Sequence, residues 1–251
     1  MIEYETDIPT RDGAMNSFVT HPEEGGPFPV VLFYMDAPGK REELHRMARR
    51  IASVGYFVVL PNLYYRRARE FRMERTEEGM KRMFDMMGHL SNRLVVEDTE
   101  ALLRFVDAQA EALPGPLGAV GYCMSGPFVV AAAAAWPQRF AAVASIYGAR
   151  LVTHEPDSAH LCVGRIEGEV YFACAEIDRW ASPKQIALLE AELSKAGANY
   201  RIEWYPGAQH GFAFPERDVY DEASAERHWE RLFALFARRL APAAQPSASA
   251  G

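Results

Sequence analysis

The stretch that most constrains this chain is Pro116 to Ala135, PLGAVGYCMSGPFVVAAAAA. An apolar run from Leu117 to Val120 stops at Gly121, Cys123 stands between Gly121 and Gly126, and small helix-compatible residues follow to Ala135. That order predicts strand, sharp turn and helix, with a side chain able to act as a nucleophile at the apex, the shape of a nucleophile elbow carrying Cys in the place usual for Ser. A strained turn exposes the side-chain atom, and the helix N-terminus beneath it favours a thiolate. A small core cysteine at a strand end fits the same twenty residues equally, so the rest of the chain has to decide.

Apolar runs recur around this unit. Phe28 to Tyr34 reads as a strand buried on both faces and Tyr56 to Leu60 as a second buried strand, and Phe140 to Tyr147, Val170 to Ala175 and Tyr200 to Tyr205 read as further strands. Between them lie helical patterns at 41–54 (Leu44, Met47, Ala48 and Ile51 on one face, Gly55 as its C-cap), 94–113, 126–135, 183–196 and 222–240. The charged, methionine-rich segment 65–90 reads as one amphipathic helix, with Met80, Met83, Phe84 and Met87 at helical spacing; an excursion over the mouth of a site is the alternative. Residues 2–8 and 14–20 flank Thr-Arg-Asp-Gly, a hairpin signal. The alternation predicts an α/β fold, a mostly parallel central sheet with helices on both faces and an N-terminal antiparallel hairpin, in one domain over 1–240, with a disordered tail at 241–251.

Composition narrows the function classes. The chain of 251 residues has a formal charge of −7, and the cluster Arg66, Arg67, Arg69, Arg72 and Arg75 is interrupted by Glu70 and Glu74, so it reads as a solvated helix face rather than a nucleic-acid site. Three cysteines at 123, 162 and 174 form no disulfide framework, and Cys162 and Cys174 read as core or near-core thiols. The opening MIEYETDIPT has no signal-peptide pattern, and no apolar run approaches the roughly 20 residues of a membrane helix. These features predict a cytoplasmic protein without a nucleic-acid or membrane partner; they do not address its oligomeric state. His154 and His160 flank Glu155 and Asp157 at a spacing that matches no common zinc site, and no Gly-x-Gly-x-x-Gly is present, so neither metal nor cofactor is expected.

In a parallel sheet, function collects beyond the carboxyl ends of the strands. Asp36, Cys123, Asp178 and His210 each follow a predicted strand. A thiolate can attack an acyl carbon, His210 can carry the proton, and Asp178 can fix the imidazole tautomer. Glu176 is the other candidate for the acid, set less far into the loop. The backbone amides of Met124 and Ala37 are placed to form an oxyanion hole.

With these residues in view, the chain resembles the dienelactone hydrolases (carboxymethylenebutenolidases), the cysteine branch of the α/β-hydrolase fold. The resemblance covers about residues 1 to 240 and rests on Gly121-Tyr122-Cys123-Met124-Ser125-Gly126, Leu60-Pro61-Asn62-Leu63-Tyr64, Ala175-Glu176-Ile177-Asp178 and Tyr205 to Phe212. It implies hydrolysis of a small-molecule ester or lactone by a Cys123, His210, Asp178 triad. It also implies that Asp36, where the family carries a longer Glu, activates the cysteine. The family clamps a substrate carboxylate with arginines, one of them four residues after the histidine; Phe214 stands there, with Arg217 as the nearby substitute and Arg72, Arg75 and Arg82 as candidates for a second clamp. Ser125 replaces a glycine of the family's elbow. Tyr122, Phe212, Phe214 and Arg217 are therefore expected to line a more apolar substrate pocket. A binding protein that holds a hydrophobic small molecule on the same fold is the alternative.

Overall fold

The structure is a computed structural model that describes residues 1–240; the tail expected to be disordered lies outside the described residues. Eight strands form one sheet: β1 (Ile2–Thr10), β2 (Gly13–His21), β3 (Val30–Tyr34), β4 (Phe57–Pro61), β5 (Leu117–Tyr122), β6 (Phe140–Ile146), β7 (Glu169–Ile177) and β8 (Tyr200–Gln209). Their spatial order is β1-β2-β4-β3-β5-β6-β7-β8. β1 and β2 form the expected hairpin, β2 runs antiparallel to β4, and every pairing beyond is parallel. The strands β3, β4 and β5 are buried at every residue, as continuous apolar runs require when helices cover both faces.

Among the described residues six α-helices complete the fold: α1 (Glu42–Ala52), α2 (Glu77–Gly88), α3 (Asn92–Asp107), α4 (Gly126–Ala135), α5 (Pro183–Lys195) and α6 (Glu222–Arg239). α1 buries Leu44, Met47, Ala48 and Ile51, the face its spacing predicts. α5 opens with a capping box between Ser182 and Gln185 and has Pro183 in its first turn. The helix expected over 94–113 stops at Asp107, because Ala112 leaves to bridge Phe28 at the start of the central sheet. α4 is apolar on every side and buried from Gly126 to Ala134, so its amphipathic signal vanishes while its core role is complete. Among the described residues, no helix is long and apolar enough to cross a membrane.

The single helix expected over 65–90 is not formed. Only Glu77–Gly88 is helical, opened by Thr76, whose hydroxyl accepts from the Gly79 N–H. Residues 65–76 run irregularly, because their side chains are tied to distant partners. The Arg66 guanidinium donates two 2.7 Å bonds to Asp98, a carboxylate 1% exposed, and Arg69 reaches Asp7 at 2.9 Å. Arg67 pairs with Asp85 of α2 at 3.1 Å, so Arg66 and Arg69 fasten the start of this excursion to the body, while Arg67, Arg72 and Arg75 remain exposed.

Candidate active site

Register places the site. β3 pairs with β5 so that Tyr34 lies opposite Gly121, which sets the loop Met35–Ala37 beside the elbow. β5 pairs with β6 so that Tyr122 lies opposite Ile146, which sets Tyr147 on the other side of it. β7 and β8 run further than the sequence indicates, to Ile177 and Gln209, and these two residues are paired. Asp178 and His210 are thus the first residues beyond two neighbouring strands.

Cys123 adopts φ +54°, the left-handed conformation that an elbow demands of its apex residue. The elbow continues as a short 3-10 turn, Cys123–Ser125, directly into α4. The turn needs a close backbone approach: a Cβ at Gly126 would run into the Cα of Gly148. Ser125 is fully buried, and its hydroxyl donates to the Met35 carbonyl, away from the nucleophile position, stitching the elbow to the loop after β3. Cys123 is half-buried, Cys162 is half-buried in a turn with its thiol on the Ala159 carbonyl, and Cys174 lies in the core; burial pushes the last two thiols up, Cys174 to about 12.

His210 Nδ1 donates to Asp178 Oδ2 at 2.7 Å, and the Trp180 N–H donates to Asp178 Oδ1 at 2.8 Å, so both acid oxygens are held. The Asp178 side chain is 1% exposed. Glu176, the other candidate acid, is exposed and turned to the Gly207 N–H at 2.7 Å, on the wrong side of the bulge between Ala175 and Ile177. Burial opposes charge on the His210 ring, but the Asp178 hydrogen bond and then the Cys123 sulfur outweigh it and raise the imidazole from 6.5 to about 9. His210 Nε2 is buried with no hydrogen-bond partner. The cysteine therefore acts on the ring from nearby without a formed hydrogen bond, and the ring has one arm free.

The Tyr64 hydroxyl donates to the Ala37 carbonyl at 2.8 Å and touches Met124 Sδ at 3.4 Å, which ties the loop after β3 to the residue after the cysteine.

Several expected residues are elsewhere. Asp36, expected to reach Cys123, is fully buried and turned to two arginines: Arg41 at 2.5 and 3.3 Å and Arg217 at 2.6 Å. A carboxylate without solvent needs paired donors, and these two guanidiniums supply them. Arg41 also pairs with the buried Glu43. Arg217 is therefore committed to Asp36 rather than free for a substrate. It lies against Gly211 (φ +99°), where a side chain would collide with its guanidinium. Tyr122, Phe212 and Phe214 do not line a pocket. All three are 0% exposed and pack beneath the site, with Tyr122 5.4 Å from Phe214 and bonded through its hydroxyl to His228 at 3.0 Å. Arg72, Arg75 and Arg82 are exposed, and the Arg75 guanidinium donates to the Glu216 carbonyl. His160 bonds to Ser158 at 2.8 Å, and among the described residues no group of three or more potential ligands is placed to hold a metal.

One residue that the sequence reading leaves out, Trp180, stands next to the acid, with Phe84 of the methionine-rich segment against it. Trp180 fixes Asp178 through its backbone, and its ring meets Phe84 of α2 at 6.2 Å. Phe84 is 41% exposed, so this aromatic pair reaches solvent next to the acid. A Trp two residues after the acid was the available signal.

The family model of the dienelactone hydrolases matches residues 15–240. The chain belongs to the dienelactone hydrolase family. That makes it a hydrolase of ester or lactone bonds on the α/β-hydrolase fold. A Synechocystis sp. protein provisionally named a carboxymethylenebutenolidase is 27% identical over 236 residues, covering 93% of this chain and 95% of that one. The carboxymethylenebutenolidase of Rhodococcus opacus is 26% identical over 219 residues, covering 84% and 81%. The crystal structure of a provisionally named dienelactone hydrolase from Klebsiella pneumoniae superposes with a TM-score of 0.85 at 24% identity, covering 94% of this chain and 98% of that one, a likeness of fold.

Proposed function

We propose that this enzyme cleaves a small-molecule carboxylic ester or lactone through an acyl-thioester on Cys123. The reading rests on one observation above others: a cysteine at φ +54° shares a sheet edge with an imidazole whose Nδ1 is held by Asp178 at 2.7 Å and whose Nε2 is unpaired. The Cys123 sulfur, its proton carried by His210 Nε2, attacks the carbonyl carbon, and the resulting oxyanion is taken by the Met124 and Ala37 amides. Collapse breaks the C–O bond, His210 protonates the departing alkoxide, and the acyl group stays on sulfur. Water, deprotonated by the same nitrogen, then opens the thioester and frees the acid. Asp178 holds the ring in the tautomer both steps need.

The substrate we read as neutral around the scissile bond. Arg41 and Arg217 are already neutralised by Asp36 and Glu43, so neither is free to clamp a carboxylate, and the Phe84–Trp180 pair offers an apolar surface at the mouth. The test is turnover of an activated neutral aryl ester and a carboxylate-bearing lactone by wild type and Cys123→Ala, with intact-mass detection of the acyl adduct. The expected result is an adduct in wild type only, a loss on the order of 10³-fold or more in the variant, and preference for the neutral ester. Undiminished turnover by Cys123→Ala would refute the mechanism, and wild type that binds without any adduct or turnover would leave a binding protein.

A further inference from the structure

Tyr147 is the first residue beyond β6, at the same edge as Cys123, Asp178 and His210, yet none of the chemistry above uses it. Its backbone φ is +37°, which a bulky side chain adopts only where its surroundings impose it. The constraint is visible. The Tyr147 N–H donates to the Ala173 carbonyl at 2.7 Å, and the Ala149 N–H donates to the carbonyl of Cys123 itself at 2.8 Å. Between them, Gly148 packs on Gly126 with no room for a Cβ on either. The segment 147–149 is thus fastened to the backbone of the elbow. The Tyr147 ring stands edge-on to His210, with centroids 5.1 Å apart, and packs on Phe212 at 5.0 Å.

The hydroxyl is the unexplained part. Tyr147 is 1% exposed, and its oxygen has no hydrogen-bond partner among the described residues. Other fully buried tyrosines are served: Tyr34 by Thr99, Tyr64 by the Ala37 carbonyl, Tyr122 by His228, and Tyr171 and Tyr205 by each other. An unpaired buried hydroxyl is costly, and in a native fold it calls for a reason. The polar groups that act on this phenol are Arg217, Tyr122, Asp36 and Cys123, with His210 against its ring. Burial holds the phenol well above its usual range, so it remains a donor. Arg217 offers no acceptor. The Tyr122 hydroxyl is turned to His228, whose Nδ1 donates to the Ala225 carbonyl and leaves Nε2 to accept. Asp36 already takes three guanidinium N–H bonds. The group at this edge that gains negative charge in the reaction is the Cys123 sulfur, and the Ala149 N–H ties the Tyr147 segment to the carbonyl of that same residue.

Resting on the reading of Cys123 as nucleophile, we propose that Tyr147 is a further catalytic residue, whose hydroxyl is a donor held in reserve for the Cys123 sulfur when that sulfur carries negative charge. It stabilises the thiolate while His210 carries the proton. The donor has no work in the resting state, which is why it stands unpaired, and the bond from the Ala149 N–H to the Cys123 carbonyl keeps its segment against the elbow.

The test is Tyr147→Phe in the full chain, which removes one oxygen and keeps the ring. The titratable groups on which the Cys123 sulfur acts are His210, Arg217, Tyr64 and Tyr147, and only the last is altered. Losing one hydrogen bond to a charged atom is expected to lower kcat on an activated ester about tenfold with KM little changed. It is also expected to move the pH midpoint of Cys123 alkylation by iodoacetamide upward by about one unit. The melting temperature is expected to hold or rise, since an unsatisfied buried hydroxyl is gone. A fall of several degrees would mean the hydroxyl has a structural partner, and that overturns the proposal. So would alkylation profiles and kcat that coincide with wild type while Cys123→Ala is inactive; the triad reading would then stand and Tyr147 alone would drop out. Full turnover by Cys123→Ala would remove the triad and Tyr147 together.

Discussion

Asp178→Asn tests the electrostatics of the site with a quantity that can be worked out beforehand. The imidazole of His210 stands at about 9 against an ordinary 6.5, and the Asp178 hydrogen bond is the largest of the influences that raise it. Each unit is worth about 1.4 kcal/mol, so the protonated ring stabilises the fold by about 3 kcal/mol relative to a neutral one, an upper figure because Cys123 shares in it. Because the folded value lies above the unfolded one, this stabilisation is complete below pH 6.5 and is lost as pH rises through 9. Asparagine keeps the acceptor for the Trp180 N–H but presents an amide donor to Nδ1, so the ring loses its support while its burial remains. Urea unfolding of both proteins between pH 6 and 10 should show wild type ahead by about 3 kcal/mol at pH 6, with the gap closing toward pH 9. Taking the difference cancels the groups that the two proteins share. Turnover of an activated ester should fall on the order of 10³- to 10⁴-fold, through the wrong tautomer. A gap that stays constant across this range would refute the reasoning, since the ring would then not be held charged by Asp178.

Asp36→Ala leaves two half-buried guanidiniums facing an apolar group, and chemical denaturation should register a loss of about 3–5 kcal/mol; a loss below about 1 kcal/mol would show that Arg41 and Arg217 find other partners. Gly126→Ala places a methyl group against Gly148 and should push the Ala149 amide off the Cys123 carbonyl, lowering stability by about 1–3 kcal/mol and thioester formation with it, as read by melting and intact mass. An iodoacetamide-type reagent should label Cys123 before Cys162 and Cys174, whose thiols burial holds up; peptide mapping of the first adduct decides it.

The order in which features became readable follows the range of the forces that set them. Continuous apolar runs such as Phe28–Tyr34 can be buried only in a covered sheet, so the strands, the mostly parallel sheet and the strand-end positions of Cys123, Asp178 and His210 are legible from local pattern, while the strand order is not. The segment 65–76 was not, because Arg66 and Arg69 are fixed by Asp98 and Asp7, carboxylates on other elements, and those ties prevail over helix propensity. Phe212 and Phe214 were assigned to the pocket on proximity to His210; tight turns from Gln209 to Phe212 and Gly211 to Phe214 fold both rings under the sheet edge instead. Asp36 is turned to Arg41 and to Arg217, the latter 181 residues away, and no local pattern announces that second pair. Tyr147 differs from all of these. It follows β6 as Asp178 follows β7, so the rule that residues beyond strand ends carry the chemistry already pointed to it. Acids, histidine and cysteine at such positions have an evident role at neutral pH. A phenol earns attention there only once its hydroxyl is seen to be buried and unpaired, which is a fact of packing and not of sequence.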